Sequence, residues 1–111
     1  MATAIFVQDG KALDYINNDR SNTVYYGDIV VIGSLVGVAE CDIPVGGLGA
    51  VSISGVYEMP SDTGTAYAQG DALYWDASNK RVTKTSDSNT ACGHAAAAKT
   101  SSAARALVRI G

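Results

Sequence analysis

The chain has 111 residues, the size of one ordinary domain and enough to bury roughly two thirds of its unfolded surface. With 47% apolar and 17% charged residues it lies far from chains that stay disordered. A net charge of −3, with Lys80-Arg81 the sole adjacent cation pair, argues against a nucleic-acid partner, which calls for clustered cations. No window approaches the ~18 apolar residues of a membrane span, and the start has no secretory n-region or h-region, so no membrane partner and a cytosolic site of synthesis are expected.

Eleven Val, seven Ile and eight Thr against five Leu favour strands joined by glycine turns, since branched side chains fit a pleated surface. Ala4-Ile5-Phe6-Val7 is a short apolar run ended by Asp9-Gly10, and it reads as a first strand or an arm within residues 1–10. Leu13 to Ile16 follows, and the polar stretch Asn17 to Asn22 reads as an exposed loop. Gly27-Asp28 launches Ile29-Val30-Val31-Ile32, an unbroken branched run of the kind seen in strands covered on both faces. Gly33-Ser34 separates it from Leu35 to Ala39, making a hairpin. Asp42 to Gly47 is a loop around Pro44, which cannot donate to a ladder.

From Ala50 to Met59 the sequence alternates: Val51, Ile53, Tyr57 and Met59 point one way, Ser52, Ser54 and Glu58 the other. Val56 beside Gly55 interrupts the polar side and predicts a bulge or a close crossing. A second Gly-Asp pair, Gly70-Asp71, launches Ala72-Leu73-Tyr74-Trp75, which suggests a structural repetition. Asp76 to Lys80 is a tight connection to a return strand Arg81 to Thr85, and Ser86 to Asn89 is a polar loop. Alanines crowd the C-terminal third and raise helix propensity there. Thr100-Ser101-Ser102 compete for backbone hydrogen bonds, so Cys92 to Arg105 reads as strand, turn, strand. Ala104, Ala106, Val108 and Ile110 would share a buried face, with Arg105 and Arg109 outward. The whole predicts an all-β fold, a single small antiparallel sandwich or barrel, jelly-roll-like, of eight or nine short strands and no long helix.

The inventory for catalysis is thin. Cys41 and Cys92 have no C-x-x-C spacing and read as buried, reduced, structural thiols. One Cys-x-His pair, Cys92 and His94, plus a distant cysteine leaves a zinc site short of ligands. Alternate residues on one strand share a face, so Cys92 and His94 define the rival enzyme reading, a thiolate pair. The acids Asp28, Asp62, Asp71 and Asp76 sit at turn positions, and no G-x-x-x-x-G-K-[ST] element occurs. No cofactor, metal or nucleotide is expected. Tyr25, Tyr26, Tyr57, Tyr67, Tyr74 and Trp75 suit a core or an interface alike. In Tyr74-Trp75 the two rings must point to opposite faces, and such a pair could also serve a carbohydrate- or peptide-binding module.

The order of Ala4 to Gly10, Tyr26 to Ile32, Leu35 to Ala39, Gly55 to Pro60 and Gly70 to Asp76 resembles that of the tailed-phage capsid cement, or head decoration, family. That family has also carried a label as a phage recombinase, which the missing phosphate loop and the acidic charge oppose. The resemblance implies a small non-catalytic β protein that binds the outside of the major capsid protein shell and stabilises it as a symmetric oligomer, a homotrimer rather than a dimer, on the virion surface after synthesis in the bacterial host. Ala4, Ile5, Phe6, Val7, Tyr74 and Trp75 are the candidate interface. A short apolar run near a chain end is hard to bury within one small domain, and an exposed strand edge invites pairing with another chain.

Overall fold

The structure, a computed structural model, describes Ala4 and residues 10–111; among these there is no helix. The strands are β1 (Ala12–Ile16), β2 (Ile29–Ile32), β3 (Leu35–Ala39), β4 (Leu48–Ser52), β5 (Gly55–Pro60), β6 (Ala72–Asp76), β7 (Arg81–Thr83), β8 (Thr90–Ala95) and β9 (Arg105–Ile110). They form a four-stranded sheet in the order β1-β4-β3-β2 and a five-stranded sheet in the order β5-β9-β8-β6-β7. Every pairing within them is antiparallel. The edges of the larger sheet meet through a parallel bridge between Ser61 and Val82, so that sheet curls toward a barrel.

The main core lies within this curl and beneath the smaller sheet: Met59, Leu73, Val82, Val108 and Ile110 are buried there with Val36 and Val38 of β3. A second, smaller cluster of Val30, Ala39, Ile43 and Val51 covers the other face of the four-stranded sheet. At roughly 1.5–3 kcal/mol for each fully buried aliphatic side chain, the main core carries most of the stability.

The two sheets repeat one design, and the Gly-Asp pairs mark it. In the first half Tyr25 N–H donates to the Asp28 carboxylate (2.9 Å), and Asp28 N–H donates to Tyr25 O (2.9 Å). In the second half Ala68 N–H donates to the Asp71 carboxylate (2.8 Å), and Asp71 N–H donates to Ala68 O (3.1 Å). Gly27 and Gly70 hold matching left-handed φ values of 86° and 90°, where a side chain would be strained. Each turn then docks on one alanine: Gly27 N–H and Asp28 O on Ala39, Gly70 N–H and Asp71 O on Ala95. The bridges Val24↔Ile43 and Tyr67↔Lys99 close both units. The order β1-β4-β3-β2 therefore corresponds to β5-β9-β8-β6, and β7 is the extra strand of the second unit.

Several sequence expectations need correction. The alternating run Ala50–Met59 is two strands in different sheets, broken where the Ser52 hydroxyl donates to Ser54 O (3.0 Å), and Ser52 is buried. Gly55 marks this change of sheet and neither a bulge nor a close crossing of another backbone, since its pairing with β9 is in register and the nearest atoms to a Cβ there are those of the Tyr57 ring. Ile29–Ile32 packs on both faces, Ile29 against the main core and Val30 with Ile32 in the smaller cluster; only Val31, 40% exposed, departs from that expectation, and β2 is an edge of its sheet. Its partner β3 is covered more fully, sending Val36 and Val38 into one core and Ala39 into the other. Asn17 is buried, its amide donating to Asn22 O and Ile43 O, although the rest of that loop is exposed. Ala104 is exposed, while Ala106, Val108 and Ile110 point inward and Arg105 and Arg109 outward.

Candidate interface

Of the residues the sequence singled out for contact, Ile5, Phe6 and Val7 lie outside the described residues, and Ala4 is exposed. Tyr74 is half-buried on β6 and Trp75, on the opposite face of that strand, is buried in the main core. The two rings thus part as strand geometry requires.

The surface carries other apolar groups. The first Gly-Asp turn presents Tyr25 and Tyr26 at 59% and 75% exposure. It is fastened at its base, since Tyr26 N–H donates to the Asp42 carboxylate (2.8 Å). The aromatic inventory contains these residues; what it lacks is their position in the repeat. Tyr67 and Val24 occupy equivalent places three residues before the glycine and are drawn toward the sheet, while Tyr26 and Gln69 occupy the outward place one residue before it. Ile16 and Leu48, cross-strand partners of β1 and β4, are both exposed, and nothing in the composition marks them.

Two depressions lie where the sheets meet. One, of about 400 Å³, is walled by Tyr26, Ile29, Val38, Tyr57 and Met59, with Glu40 and Glu58 also lining it. Glu58 is held by Arg105, whose Nε donates to it at 2.7 Å. The other, of about 520 Å³, runs between β2 and the β6–β7 connection. Tyrosine, which lines the first of these through Tyr26 and Tyr57, is enriched in protein interfaces.

The groups considered for catalysis are not brought together. Cys92 is buried and His94 exposed, although they are alternate residues. The register between β6 and β8 shifts between Leu73 and Tyr74, so that Leu73 pairs with Gly93 and Tyr74 with Ala91. Cys92 is the extra residue of this bulge, which overturns the shared-face expectation. Burial pushes the Cys92 thiol up to about 11, the reverse of what an active thiolate needs. Cys41 is exposed rather than buried, because it follows β3 in a surface turn. Among the described residues no group of three or more His, Cys, Asp or Glu could hold a metal ion. Asp71 and Asp76 are turn formers: the Ala68 N–H, with Lys84 beside it, lowers the Asp71 carboxyl, and the Asn79 amide and backbone N–H lower that of Asp76.

Fold and surface together define a small two-sheet β protein with an exposed tyrosine turn and open depressions where its sheets meet. The chain belongs to the phage cement protein family, whose model matches residues 7–110, in agreement with the order of segments in the sequence. Neither the curated proteins nor the solved structures compared with the chain give a match. Membership places the protein with the structural components of phage capsids.

Proposed function

We propose that this protein is a capsid cement protein that binds the outside of the major capsid protein shell and stabilises the head, without catalysis. The observation that carries this reading is the family match over residues 7–110. The surface supports it: apolar groups stand exposed at Tyr25, Tyr26, Ile16 and Leu48, and the one Cys-His pair is split across a strand. The protein acts as one 111-residue domain and as a homo-oligomer, because several weak contacts made at once become durable through effective concentration; a trimer rather than a dimer is what the resemblance to the cement family implies. The Ala4–Val7 segment and Tyr74 contribute contacts, and Trp75 anchors the strand that carries Tyr74. Its place is the virion surface, after synthesis in the host cytoplasm.

Co-sedimentation with expanded, cement-free shells tests this. Saturable binding at a fixed ratio to shell subunits is the expected result. Failure to bind shells, together with binding of a sugar or peptide by a monomer, would replace the cement reading with that of a free-standing binding module.

A further inference from the structure

Among the described residues, the internal repeat shows a strand position that one half fills and the other leaves open. In the second half the outer side of β6 is covered by β7, with Tyr74 opposite Thr83 and Trp75 opposite Val82, and Val82 is fully buried there. In the first half the equivalent strand is β2, and among the described residues no strand lies beyond it. The chain joins β2 to β3 through Gly33 and Ser34 alone, so it has no counterpart of β7 at that point.

The bare edge is also chemically unguarded. Ile29-Val30-Val31-Ile32 contains no charge, proline or bulge, the devices that keep sheet edges from pairing. Asp28 O accepts from Ala39 N–H (2.9 Å), and Ile32 faces Leu35 at the two-residue turn. Alternation in an antiparallel ladder then turns the backbone groups of Val30 and Ile32 toward β3 and those of Ile29 and Val31 outward. Beside this edge runs the 520 Å³ groove, lined by Val24, Ile29, Val31, Pro60 and Trp75, with the charged Asp28 and Lys80 also lining it.

We infer that β2 is a docking edge for an extended segment of the capsid shell protein, which adds as an antiparallel strand in the place that β7 holds beside β6. This rests on the cement reading for the source of the segment. Its chemistry follows from β7: about three residues long, uncharged at its centre, and carrying there a branched apolar side chain, as Val82 does. Main-chain hydrogen bonds from Ile29 and Val31 supply affinity, and the groove selects the side chain.

Val31→Pro removes one outward N–H and spares the bonds to β3, since proline is tolerated at such edge positions. Val31→Lys is the second variant, in case the first misfolds. Circular dichroism and sedimentation in solution monitor fold and oligomeric state, and deuterium exchange follows residues 25–34 with and without shells. The expected result is at least ~10-fold weaker shell binding by a folded variant with unchanged oligomeric state, and protection of residues 25–34 in the wild type only when shells are bound. Full shell binding by both folded variants, or no added protection, overturns the docking edge and leaves the cement reading standing. Dissociation of the oligomer on substitution overturns the shell as the source and gives the edge to a second copy. Wild-type protein that ignores shells overturns the cement reading, and this inference with it.

Discussion

The ammonium of Lys99 lies 4.5 Å from the centre of the Tyr67 ring and donates to the carbonyls of Thr65 (2.7 Å), Asp62 (3.0 Å) and Ala103 (3.1 Å). The equivalent of Lys99 in the first half is Ile43, which is fully buried. One unit is therefore closed by a branched apolar plug and the other by a cation tying two loops together. The Tyr67 hydroxyl donates to the Asp62 carboxylate, and the Thr83 hydroxyl donates to the other Asp62 oxygen at 3.2 Å.

Replacing Lys99 with Met keeps the aliphatic stem and removes the charge-assisted bonds and the cation over the ring. A loss of about 2 kcal/mol is expected in denaturant unfolding. Tyr67→Phe should cost about 1 kcal/mol. Because both act on the Asp62 loop, a double-mutant cycle should give a coupling energy clearly different from zero. Simple additivity would mean that the two side chains hold separate loops.

The cysteines should differ sharply in reactivity. Exposed Cys41 titrates rapidly with a thiol reagent at neutral pH, and buried Cys92 reacts only as the protein opens. Alkaline pH carries the corresponding stability effect. The Cys92 thiol is raised from 9.0 to about 11, so above pH 9 the unfolded chain releases a proton that the folded one keeps. The contribution is fully present below pH 9 and is lost as pH rises to about 11, by an amount on the order of 2 kcal/mol. Burial and the nearby Asp62 carboxylate also raise Tyr67, which extends the decline to higher pH. Unfolding midpoints measured from pH 8 to 11 should fall, and the fall should be shallower in Cys92→Ala than in the wild type.

Gly93 has φ 154°, and a Cβ built there would collide with the carbonyl oxygen of Arg109. That oxygen belongs to β9, so the two strands cannot stay paired around a side chain. Gly93→Ala should cost at least ~3 kcal/mol or prevent folding. Gly33→Ala, in open space at φ 59°, should cost about 1 kcal/mol. Equal midpoints for the two variants would show that the β8 bulge relaxes freely.

The sequence makes some of this legible and hides the rest for identifiable reasons. Ile29–Ile32 and Leu35–Ala39 appear as β2 and β3 to the residue, because Gly33-Ser34 punctuates two branched runs. The break between β4 and β5 is hidden, since alternation with period two is the same whether a chain stays in one sheet or passes to another. The separation of Cys92 from His94 is hidden for a related reason: one extra residue in a bulge inverts the alternation, and only Gly93 hints at it. The packing of β2 against both cores is legible in its unbroken branched run, whereas its place at the edge of its sheet among the described residues is hidden, because composition reports apolar character and not what lies alongside. The repeat holds the better signal. Aligning Gly27-Asp28 with Gly70-Asp71 sets Tyr26 in the outward place of the turn and Tyr67 in the inward one.

The same alignment makes a prediction about the two turns themselves. Each aspartate accepts a hydrogen bond from the backbone three residues earlier, Asp28 from Tyr25 and Asp71 from Ala68, and each leads into the equivalent strand of its unit, β2 and β6. Asp71 has a further partner in Lys84 at 3.1 Å, but both side chains are solvent-exposed enough that this pair contributes little. Asp28→Ala and Asp71→Ala should therefore destabilise to a similar degree, as loss of a turn-capping bond does. Asn at either site, which can still accept that bond, should restore most of the loss. Lys84→Ala should change the midpoint by no more than ~0.5 kcal/mol. If Asp71→Ala proved far more costly than Asp28→Ala while Lys84→Ala matched the difference, the ion pair and not the turn would be what Asp71 provides, and the equivalence of the two turns would not extend to their energetics.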